Sequence, residues 1–288
     1  PLLDLGQHPI CDDLVAVGDG RVCREYPIQI LYCETCRTAH QRFQIPKQDL
    51  FPATYHYRSR FTADVLSGMA SLVESCDKQF GPLAGKLVLD IGCNDGSLLD
   101  FFGARGARTL GVEPTGACSD AVAKGHAAFN EFLTPELADR IGGAHGKPDL
   151  ITFTNVFAHI EDLGSVVESL RRLMHPGTVI IIENHFLGSV LDGNQFDTFY
   201  HEHPRTYSYT SFVHIAKALG VNLLGVEFPA RYGGNIRVFM GSGTVTADNE
   251  ASLRQLDERE SRYLAQFQAM ARAVTAWAGR KRAAIDEQ

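Results

Sequence analysis

The chain has 288 residues, 44% of them hydrophobic and 21% charged, with a formal net charge of −7 at pH 7. This composition is ordinary for a globular protein of one or two domains, and the negative charge disfavours a surface that tracks nucleic-acid phosphates, so we expect no nucleic-acid partner. No apolar run approaches the roughly 20 residues of a membrane-spanning helix, so we expect no membrane partner, and the odd number of seven cysteines fits reduced thiols in a cytoplasmic protein best.

Residues 1–56 are predicted to form a small β-rich domain, because short apolar runs alternate there with turn residues. Within them, Cys33 and Cys36 form a C-x-x-C pair, and two thiolates at that spacing can hold one zinc ion. A structural zinc site needs four ligands, and the spacing of Cys11 and Cys23 is not that of a second pair. We therefore expect the missing ligands before the first residue, with free or redox-active thiols as the alternative.

Residues 57–245 are predicted to form an α/β domain with a mostly parallel sheet. A helical pattern over 60–80 is followed by strongly apolar strand patterns that alternate with amphipathic helices. Such alternation is typical of a parallel sheet that is covered on both faces. The strand patterns are LVLDIG, TLGVEP, DLITFTNVF and TVIIIEN.

Residues 246–288 are predicted to form a long helix that leads to a C-terminal domain absent here. The stretch 249–280 has no proline and a single glycine, and apolar side chains recur along it at helical spacing. Such a stripe needs a partner surface, which we expect in a further domain or a second subunit; the oligomeric state is left open. The stripe comprises Leu253, Leu256, Tyr263, Phe267, Met270, Val274 and Trp277.

The stretch KLVLDIGCNDGSLL, residues 86–99, predicts a strand, a glycine turn and the start of a helix. Gly92 and Gly96 let the backbone turn tightly and approach a ligand closely, at the carboxyl ends of the strands where α/β sheets bind ligands. The spacing is not the G-x-G-x-x-G of nicotinamide-binding proteins, and the Gly-Lys-Ser/Thr of a phosphate-binding loop is absent.

The same stretch resembles motif I of class I S-adenosylmethionine methyltransferases, with Asp90 ending the strand and Asn94 inside the turn. Glu113 ends the next strand, where the resemblance implies a carboxylate that accepts both ribose hydroxyls; a solvated loop acid is the alternative. HPGTVIIIEN matches a further feature of that fold. The resemblance implies a Rossmann-like fold and S-adenosylmethionine as cofactor. The residues expected to bind it are Asp90, Gly92, Asn94, Gly96, Glu113 and Asn155.

Further stretches resemble the sugar C-methyltransferases that act on C-3 of dTDP-4-keto deoxysugars. They are NVFAH at 155–159, FDTFYHEH at 196–203 and RYGGNIR at 231–237, together with Tyr57-Arg58-Ser59 and the C-x-x-C pair. That family has a zinc-binding domain, a methyltransferase domain and a sugar-nucleotide-binding domain. This chain shows Tyr-Gly-Gly-Asn where the family usually shows His-Gly-Gly-Ser, and Pro204 where it usually has an apolar residue; both departures bear on the acceptor more than on the reaction.

The cluster Tyr200-His201-Glu202-His203 suits a carbon-acid reaction. Removing a proton from a carbon beside a ketone needs a base of near-neutral pKa and a donor at the ketone oxygen, and an ordinary histidine titrates near ~6.5. In a helical turn Tyr200 and His203 share one face. We predict His203 as base, Glu202 as its orienter or a proton relay, and Tyr200 as a donor near the substrate, as the resemblance also implies. Residue type alone does not choose His203 over His201, and a catalytic metal site or a polar surface turn are the alternatives.

The predicted enzyme uses S-adenosylmethionine to methylate a carbon next to a ketone, on a nucleotide-linked deoxysugar in antibiotic or surface-sugar biosynthesis. Its small-molecule substrate is expected to contact Tyr57, His159, Asn235 and Arg237, with Asn155 and His159 as candidates for stabilising an oxyanion. Arg237 suits a diphosphate or the sugar, and a rim salt bridge is its alternative. Two other functions stay open: an O- or N-methyltransferase on the same fold, and a zinc-ribbon interaction module on a catalytically silent domain.

Overall fold

The computed structural model describes residues 1–11, 13–52, 55–244 and 247–287, with the backbone alone for 247–252. Two β-sheets, one of four strands and one of seven, form its framework. The strands are β1 (Leu3–Pro9), β2 (Glu25–Cys33), β3 (Thr38–Gln41), β4 (Leu87–Ile91), β5 (Arg108–Val112), β6 (Ala127–Phe129), β7 (Leu150–Thr154), β8 (Val179–His185), β9 (Arg205–Thr206), β10 (Asn222–Glu227) and β11 (Asn235–Gly241).

Ten α-helices in the described ranges cover these sheets, and single turns of 3-10 helix lie at 59–61, 157–159, 196–198 and 231–233. None of the described helices is long and apolar enough to cross a membrane. The helices are α1 (Lys47–Leu50), α2 (Ala63–Phe80), α3 (Ser97–Ala104), α4 (Cys118–Ala123), α5 (Pro135–His145), α6 (Leu163–Leu173), α7 (Leu187–Gly193), α8 (Tyr209–Leu219), α9 (Ala247–Glu260) and α10 (Tyr263–Asp286).

The seven-stranded sheet has the order β6-β5-β4-β7-β8-β11-β10. Its strands β4 to β8 are parallel, and β11 runs antiparallel to both of its neighbours. All five residues of β4 are buried, as expected for a strand covered on both faces. These features confirm the predicted class I methyltransferase fold with a mostly parallel sheet. From β4 the chain adds strands β5 and β6 on one side, whereas β7 and β8 are added on the other side of β4. Ligands bind α/β sheets at such a switch in strand order.

The predicted β-rich N-terminal region is an antiparallel sheet that takes its last strand from the central part of the chain. Strand order is β1-β2-β3-β9, and β3 pairs with β9 through Ala39 opposite Thr206 and His40 opposite Arg205. The backbone N–H of Gln41 adds a hydrogen bond of 2.9 Å to the carbonyl of Pro204. The stretch Tyr200 to His203, just before β9, is therefore tied to the N-terminal sheet.

The C-terminal segment forms two helices rather than the predicted single one, with α9 and α10 separated at residues 261–262. The expectation that its apolar stripe needs a further domain or a second subunit is wrong. Four residues of the stripe are buried in this chain's own main core: Tyr263, Phe267, Met270 and Val274. Trp277 contacts the ring of Phe196 at 5.5 Å between centroids. Helix α10 thus packs behind the segment that leads to Tyr200 and His203.

A buried ionic network joins β8, β10 and β11. Glu183, fully buried, accepts hydrogen bonds from Arg237 Nε at 2.8 Å, Arg231 Nη1 at 3.1 Å and Asn235 Nδ2 at 3.1 Å. Arg237 also donates to Glu227 at 2.6 Å. Since a buried charge that loses its partner costs about 3–5 kcal/mol, these groups depend on one another.

We predict that Gly68→Ala destabilises the fold by about 1–3 kcal/mol, as overpacking of a filled site does. A Cβ at Gly68 in α2 would overlap the guanidinium of Arg231, which cannot move away without leaving Glu183. The matched control is Gly142→Ala in α5, where a Cβ meets nothing within 4 Å and alanine should stabilise the helix by about 0.5–1 kcal/mol. Urea unfolding measures both, and equal stabilities of the two variants would contradict the packing argument.

Candidate active site

A cavity of about 570 Å³ opens at the carboxyl ends of β4, β5, β7 and β8. It collects residues that are far apart in the sequence, as a switch point of this sheet should. Most of the predicted cofactor, substrate and catalytic residues lie on its wall: Gly92, Asn94, Glu113, Asn155, Tyr57, His159, Tyr200, Glu202 and His203.

Two predicted cofactor residues lie behind the wall. Asp90 is 3% exposed and accepts a hydrogen bond of 2.7 Å from Thr152 Oγ1, and burial raises the pKa of its carboxyl to about 7. Gly96 starts α3 with φ of +75° and fits against Ala121. Asp90 and Gly96 therefore do not line the cavity. They shape the glycine turn, whose residues Gly92 and Asn94 do.

Two predicted substrate residues also lie off the wall. Asn235 and Arg237 are 0% and 1% exposed, and both serve the Glu183 network. Asn235 Nδ2 also lies 3.4 Å from Asn155 Oδ1. The prediction that Arg237 meets a diphosphate or the sugar is wrong for this arrangement, because both of its charge partners are carboxylates of the same chain.

The cofactor end of the cavity is formed by Gly92 and Glu113. Gly92 has φ of +74°, and a Cβ there would overlap the side chain of Val156, so the backbone itself forms the wall. The carboxylate of Glu113 is 5% exposed and accepts the backbone N–H groups of Asn94 at 3.0 Å and Thr115 at 2.9 Å. Each oxygen keeps a second lone pair, which is what a pair of ribose hydroxyls needs.

The charge of the wall suits a cation. Four acidic residues line the cavity, and Lys47 is the single lysine or arginine among the described lining residues; the acids are Glu113, Glu161, Asp162 and Glu202. A sulfonium is stabilised by such a surface. With the glycine wall and Glu113, this donor set fits S-adenosylmethionine.

A strap formed by residues 57–60 crosses the glycine turn. Asn94 accepts the backbone N–H of Ser59 at 3.0 Å and donates to the carbonyl of Tyr57 at 3.2 Å, and Arg58 pairs with Asp120 at 2.6 Å. The side chain of Asn94 is therefore used on the strap, although the residue still lines the cavity. This strap brings Tyr57 to the cavity wall.

The acceptor end of the cavity is formed by a single turn that closes between Tyr200 and His203. The backbone N–H of His203 donates to the carbonyl of Tyr200 at 2.9 Å, and the turn places Tyr200 Oη 3.0 Å from His203 Nε2. His203 Nδ1 lies 3.2 Å from the carbonyl of Thr198. Since a carbonyl only accepts, Nδ1 carries the proton and Nε2 is the acceptor, whose lone pair receives the hydrogen bond of the Tyr200 hydroxyl.

This geometry corrects one predicted role of Glu202. The group that orients His203 is the Thr198 carbonyl, whereas Glu202 lies on the cavity wall, where it stays a candidate proton relay. The carbonyl of Glu202 accepts a hydrogen bond from His159 Nδ1 at 2.6 Å. His159 thus fixes the turn from the other side.

The structure separates His203 from His201. His201 Nε2 lies 3.1 Å from the carbonyl of Tyr26, and its ring meets that of Tyr26 edge-on outside the cavity. Within the described ranges, no group of three or more histidine, cysteine or acidic residues is arranged to hold a metal ion. His203 is therefore the one of the two histidines that can reach a ligand.

Three histidines form a cluster on the wall. The ring of His203 lies 4.8 Å from that of His159 and 5.5 Å from that of His185. Burial lowers the pKa of His159 to about 4 and that of His185 below its usual range, and burial with the other two rings holds the pKa of His203 well below 6.5. All three are neutral near pH 7. His185 was missed at the sequence level, although a histidine ending the strand pattern VIIIENH was a usable signal.

The thiol pair lies in the N-terminal sheet, where Cys33 is the last residue of β2 and Cys36 lies in the turn that leads to β3. Hydrogen bonding from the backbone of Cys36 lowers the pKa of the Cys33 thiol, which favours the thiolate that a metal binds. Burial raises the pKa of Cys36, whose Sγ is 3.2 Å from Thr38 Oγ1. The pair would supply two ligands of a zinc site, and the described residues do not add a third.

The turn formed by Tyr200 to His203 is also held from the N-terminal sheet, by the side chain of Gln41. Its buried Nε2 donates to the carbonyl of Tyr200 at 2.6 Å and lies 3.4 Å from that of His203. We predict that Gln41→Leu lowers the free energy of unfolding by about 1–3 kcal/mol, because buried carbonyls lose their donor. Gln29→Leu, which removes an exposed hydrogen bond to Asp4, is the control and should change it by less than about 0.5 kcal/mol. Matching urea curves for the two variants would show that the carbonyls find other donors.

We predict that acid destabilises the fold through the histidine cluster. The folded pKa of His159 is about 4 against an ordinary 6.5, so the unfolded chain binds the proton first and the free energy of unfolding falls as the pH drops from 6.5 towards 4. His159→Asn keeps a donor for the Glu202 carbonyl but does not titrate. In this variant, the fall in the free energy of unfolding between pH 6.5 and pH 4 should be smaller by up to about 3 kcal/mol. Thermal unfolding at a series of pH values measures it, and an unchanged slope would assign the acid sensitivity elsewhere.

Comparisons with known proteins identify the family of the central part of the chain and match its N-terminal part to a second model. Residues 56–226 match the family model described as "Methyltransferase domain" and residues 1–51 the model described as "Putative zinc binding domain". The C-methyltransferase NovU of Streptomyces niveus is 28% identical over 254 residues, which are 86% of this chain and 59% of that protein. A ubiquinone biosynthesis O-methyltransferase of Acinetobacter baumannii strain AYE is 33% identical over 109 residues, 35% of this chain and 44% of that protein.

Among solved structures, magnesium protoporphyrin IX methyltransferase from Synechocystis PCC 6803 with bound SAH is 18% identical, with a TM-score of 0.49 over 62% of this chain and 83% of that one. The chain spans about three fifths of the length of the C-methyltransferase that it matches. Because the methyltransferase model covers more than half of the sequence, the chain belongs to the methyltransferase domain family and carries a second match, to a zinc-binding domain model, at its N-terminus.

Proposed function

We propose that this protein is an S-adenosylmethionine-dependent C-methyltransferase that removes a proton from a carbon next to a ketone and methylates that carbon. The observation that carries the proposal is the Tyr200–His203 pair, whose Nε2 is kept unprotonated by the Thr198 carbonyl on the other side of the ring. It lies in the same cavity as the Glu113 and Gly92 surface that fits the cofactor. A base in reach of a methyl donor is what methylation of a carbon acid requires.

The proton removed from the acceptor is taken up by the Tyr200–His203 pair: the hydroxyl proton of Tyr200 passes to Nε2 of His203 as Tyr200 Oη takes the proton of the carbon. The C–H bond breaks, its electron pair moves into the carbon–carbon bond of an enolate, and the ketone oxygen takes up the negative charge. The low pKa of His203 keeps the ring available at neutral pH, and the enolate charge beside it then favours the imidazolium. Tyr200 Oη, 3.0 Å from that nitrogen, keeps the pair aligned and can pass the proton along the same hydrogen bond.

S-adenosylmethionine, when bound, supplies an electrophilic methyl group on a sulfonium. The enolate carbon would take up that methyl group and the ketone would return, after which His203 would release its proton to water. Gly92 and Glu113 would hold the cofactor at one end of the cavity, and the acidic wall would favour its positive charge over the neutral product.

The acceptor is proposed to be a nucleotide-linked keto deoxysugar. The similarity to NovU, a protein named as a C-methyltransferase, supports carbon as the methylated atom. With Arg237 committed to Glu183 and Glu227, Lys47 is the basic residue of the described wall that a diphosphate would meet. Zinc is proposed as a structural ion, with Cys33 and Cys36 as two of its ligands; this accords with the N-terminal family match.

An O- or N-methyltransferase is the second candidate, and the similarity to a ubiquinone biosynthesis O-methyltransferase over 109 residues favours it. That reaction needs no carbon acid. His203 would matter less for that reaction, and no hydrogen on carbon would exchange with solvent.

The test is incubation in heavy water with a dTDP-4-keto-2,6-dideoxy sugar, with and without S-adenosylmethionine. We predict deuterium uptake beside the ketone without the cofactor, methyl gain with it, and loss of both by at least about 100-fold in His203→Asn, as when a general base is removed. His214→Asn, on the exposed face of α8, is the control and should behave like the parent. Mass spectrometry reads both changes; methyl transfer to oxygen with no deuterium uptake would favour the second candidate.

A further inference from the structure

His185 lines the cavity but has no assigned role in the proposed reaction. It ends β8 opposite Asn235 of β11, and its ring lines the cavity. The ring centroid is 5.5 Å from that of His203 on one side and 5.5 Å from that of Tyr232 on the other. His185 therefore stands beside the proposed base, at the carboxyl edge of the sheet.

The hydrogen bonding of His185 differs from that of the other two histidines. His203 uses one nitrogen on the Thr198 carbonyl and the other on Tyr200, and His159 donates to the Glu202 carbonyl. In the described part of the chain, neither ring nitrogen of His185 has a hydrogen-bond partner, and its recorded neighbours are rings and the charge of Asp197. Its nitrogens are open to a ligand in the cavity.

The ring is nevertheless fixed in place. Tyr232, with φ of +51°, sits in the 231–233 turn, and that turn is anchored by Arg231 on the buried carboxylate of Glu183. A side chain packed between two rings, one of them on an ionic anchor, is restrained where it meets the cavity. Such preorganised donors are the groups that stabilise developing negative charge most effectively.

The proposed chemistry needs a donor of this kind. When the Tyr200–His203 pair takes up the proton, negative charge appears on the ketone oxygen, two bonds from the reacting carbon. Tyr200 already donates to His203, and Lys47 has its ammonium over the ring of Phe132, 4.4 Å from the ring centroid. We propose, on the basis of the proposed function, that His185 is a catalytic hydrogen-bond donor to the ketone oxygen of the acceptor.

The step is a hydrogen bond and not a proton transfer. The proton of the carbon goes to the Tyr200–His203 pair, the electron pair of the C–H bond goes to the enolate, and the N–H of neutral His185 shortens its contact to the oxygen as charge builds up. When the carbon takes the methyl group, the ketone returns and the hydrogen bond weakens. His185 keeps its own proton throughout, so the balance of the reaction is unchanged.

The experiment measures enolisation alone, as deuterium uptake beside the ketone without cofactor. Two variants of similar size are compared: His185→Gln, which can donate, and His185→Met, which cannot. We expect His185→Met to slow uptake by about 100–1,000-fold, the range for loss of one oxyanion donor, and His185→Gln to restore at least about tenfold of that loss. S-adenosylmethionine binding, measured by calorimetry, should be unchanged in both, and His214→Gln is the surface control.

The outcomes separate this inference from the proposed function. If the parent takes up deuterium and His185→Met does so at the same rate, the donor role is overturned while the C-methyltransferase stands. If His185→Gln and His185→Met slow uptake equally, His185 acts by shape and the donor role is again overturned. If the parent, with S-adenosylmethionine bound, shows neither uptake nor methyl gain at carbon, the proposed function fails and the role of His185 fails with it.

Discussion

The buried carboxylate of Glu183 is the constraint on which the acceptor side of the molecule depends. A charge without water must be matched by donors, and here Arg231, Asn235 and Arg237 supply them. All three donors lie in β11 or in the turn that joins β10 to β11, so one carboxylate sets where that hairpin meets β8. His185 and Tyr232 owe their positions to this match.

The turn that carries Tyr200 and His203 is held on three sides. Gln41 and β9 hold its backbone from the N-terminal sheet, His159 holds the Glu202 carbonyl from the loop after β7, and α10 packs behind it through Phe267, which meets Phe199 at 5.8 Å between centroids. A base must stay within a fraction of an ångström of its target. The three parts of the chain thus act together on one short segment.

Local patterns were sufficient to predict the parallel strands, because fully apolar runs between helical periods have few other interpretations. The glycine turn was visible in the spacing of Gly92 and Gly96, and the role of Glu113 was implied by the resemblance to class I methyltransferases; the structure brings both to one edge of the sheet. The surroundings of the side chains in the β11 region were not predictable. Arg237 and Asn235 look like ligand contacts in the sequence, and their burial follows from a pairing with Glu183 that lies about fifty residues away and leaves no local pattern.

The predicted partner of the C-terminal apolar stripe was wrong for a related reason. Periodicity shows that Phe267 and Met270 need a partner surface, but not which surface provides it. In the Tyr200 to His203 turn, spacing predicted that Tyr200 and His203 meet, which they do at 3.0 Å. It did not predict that a backbone carbonyl, rather than Glu202, would set the tautomer, since carbonyl positions depend on the fold of the whole segment.

The crowding of three neutral imidazoles has a consequence for the timing of catalysis. Each ring disfavours a charge on its neighbour, as the influence of His159 and His185 on the pKa of His203 shows. Once one ring is charged, a second proton is opposed still more strongly. Because of this repulsion, the three histidines together hold one proton at a time. In the proposed reaction, His203 must therefore release its proton before the next acceptor can be deprotonated.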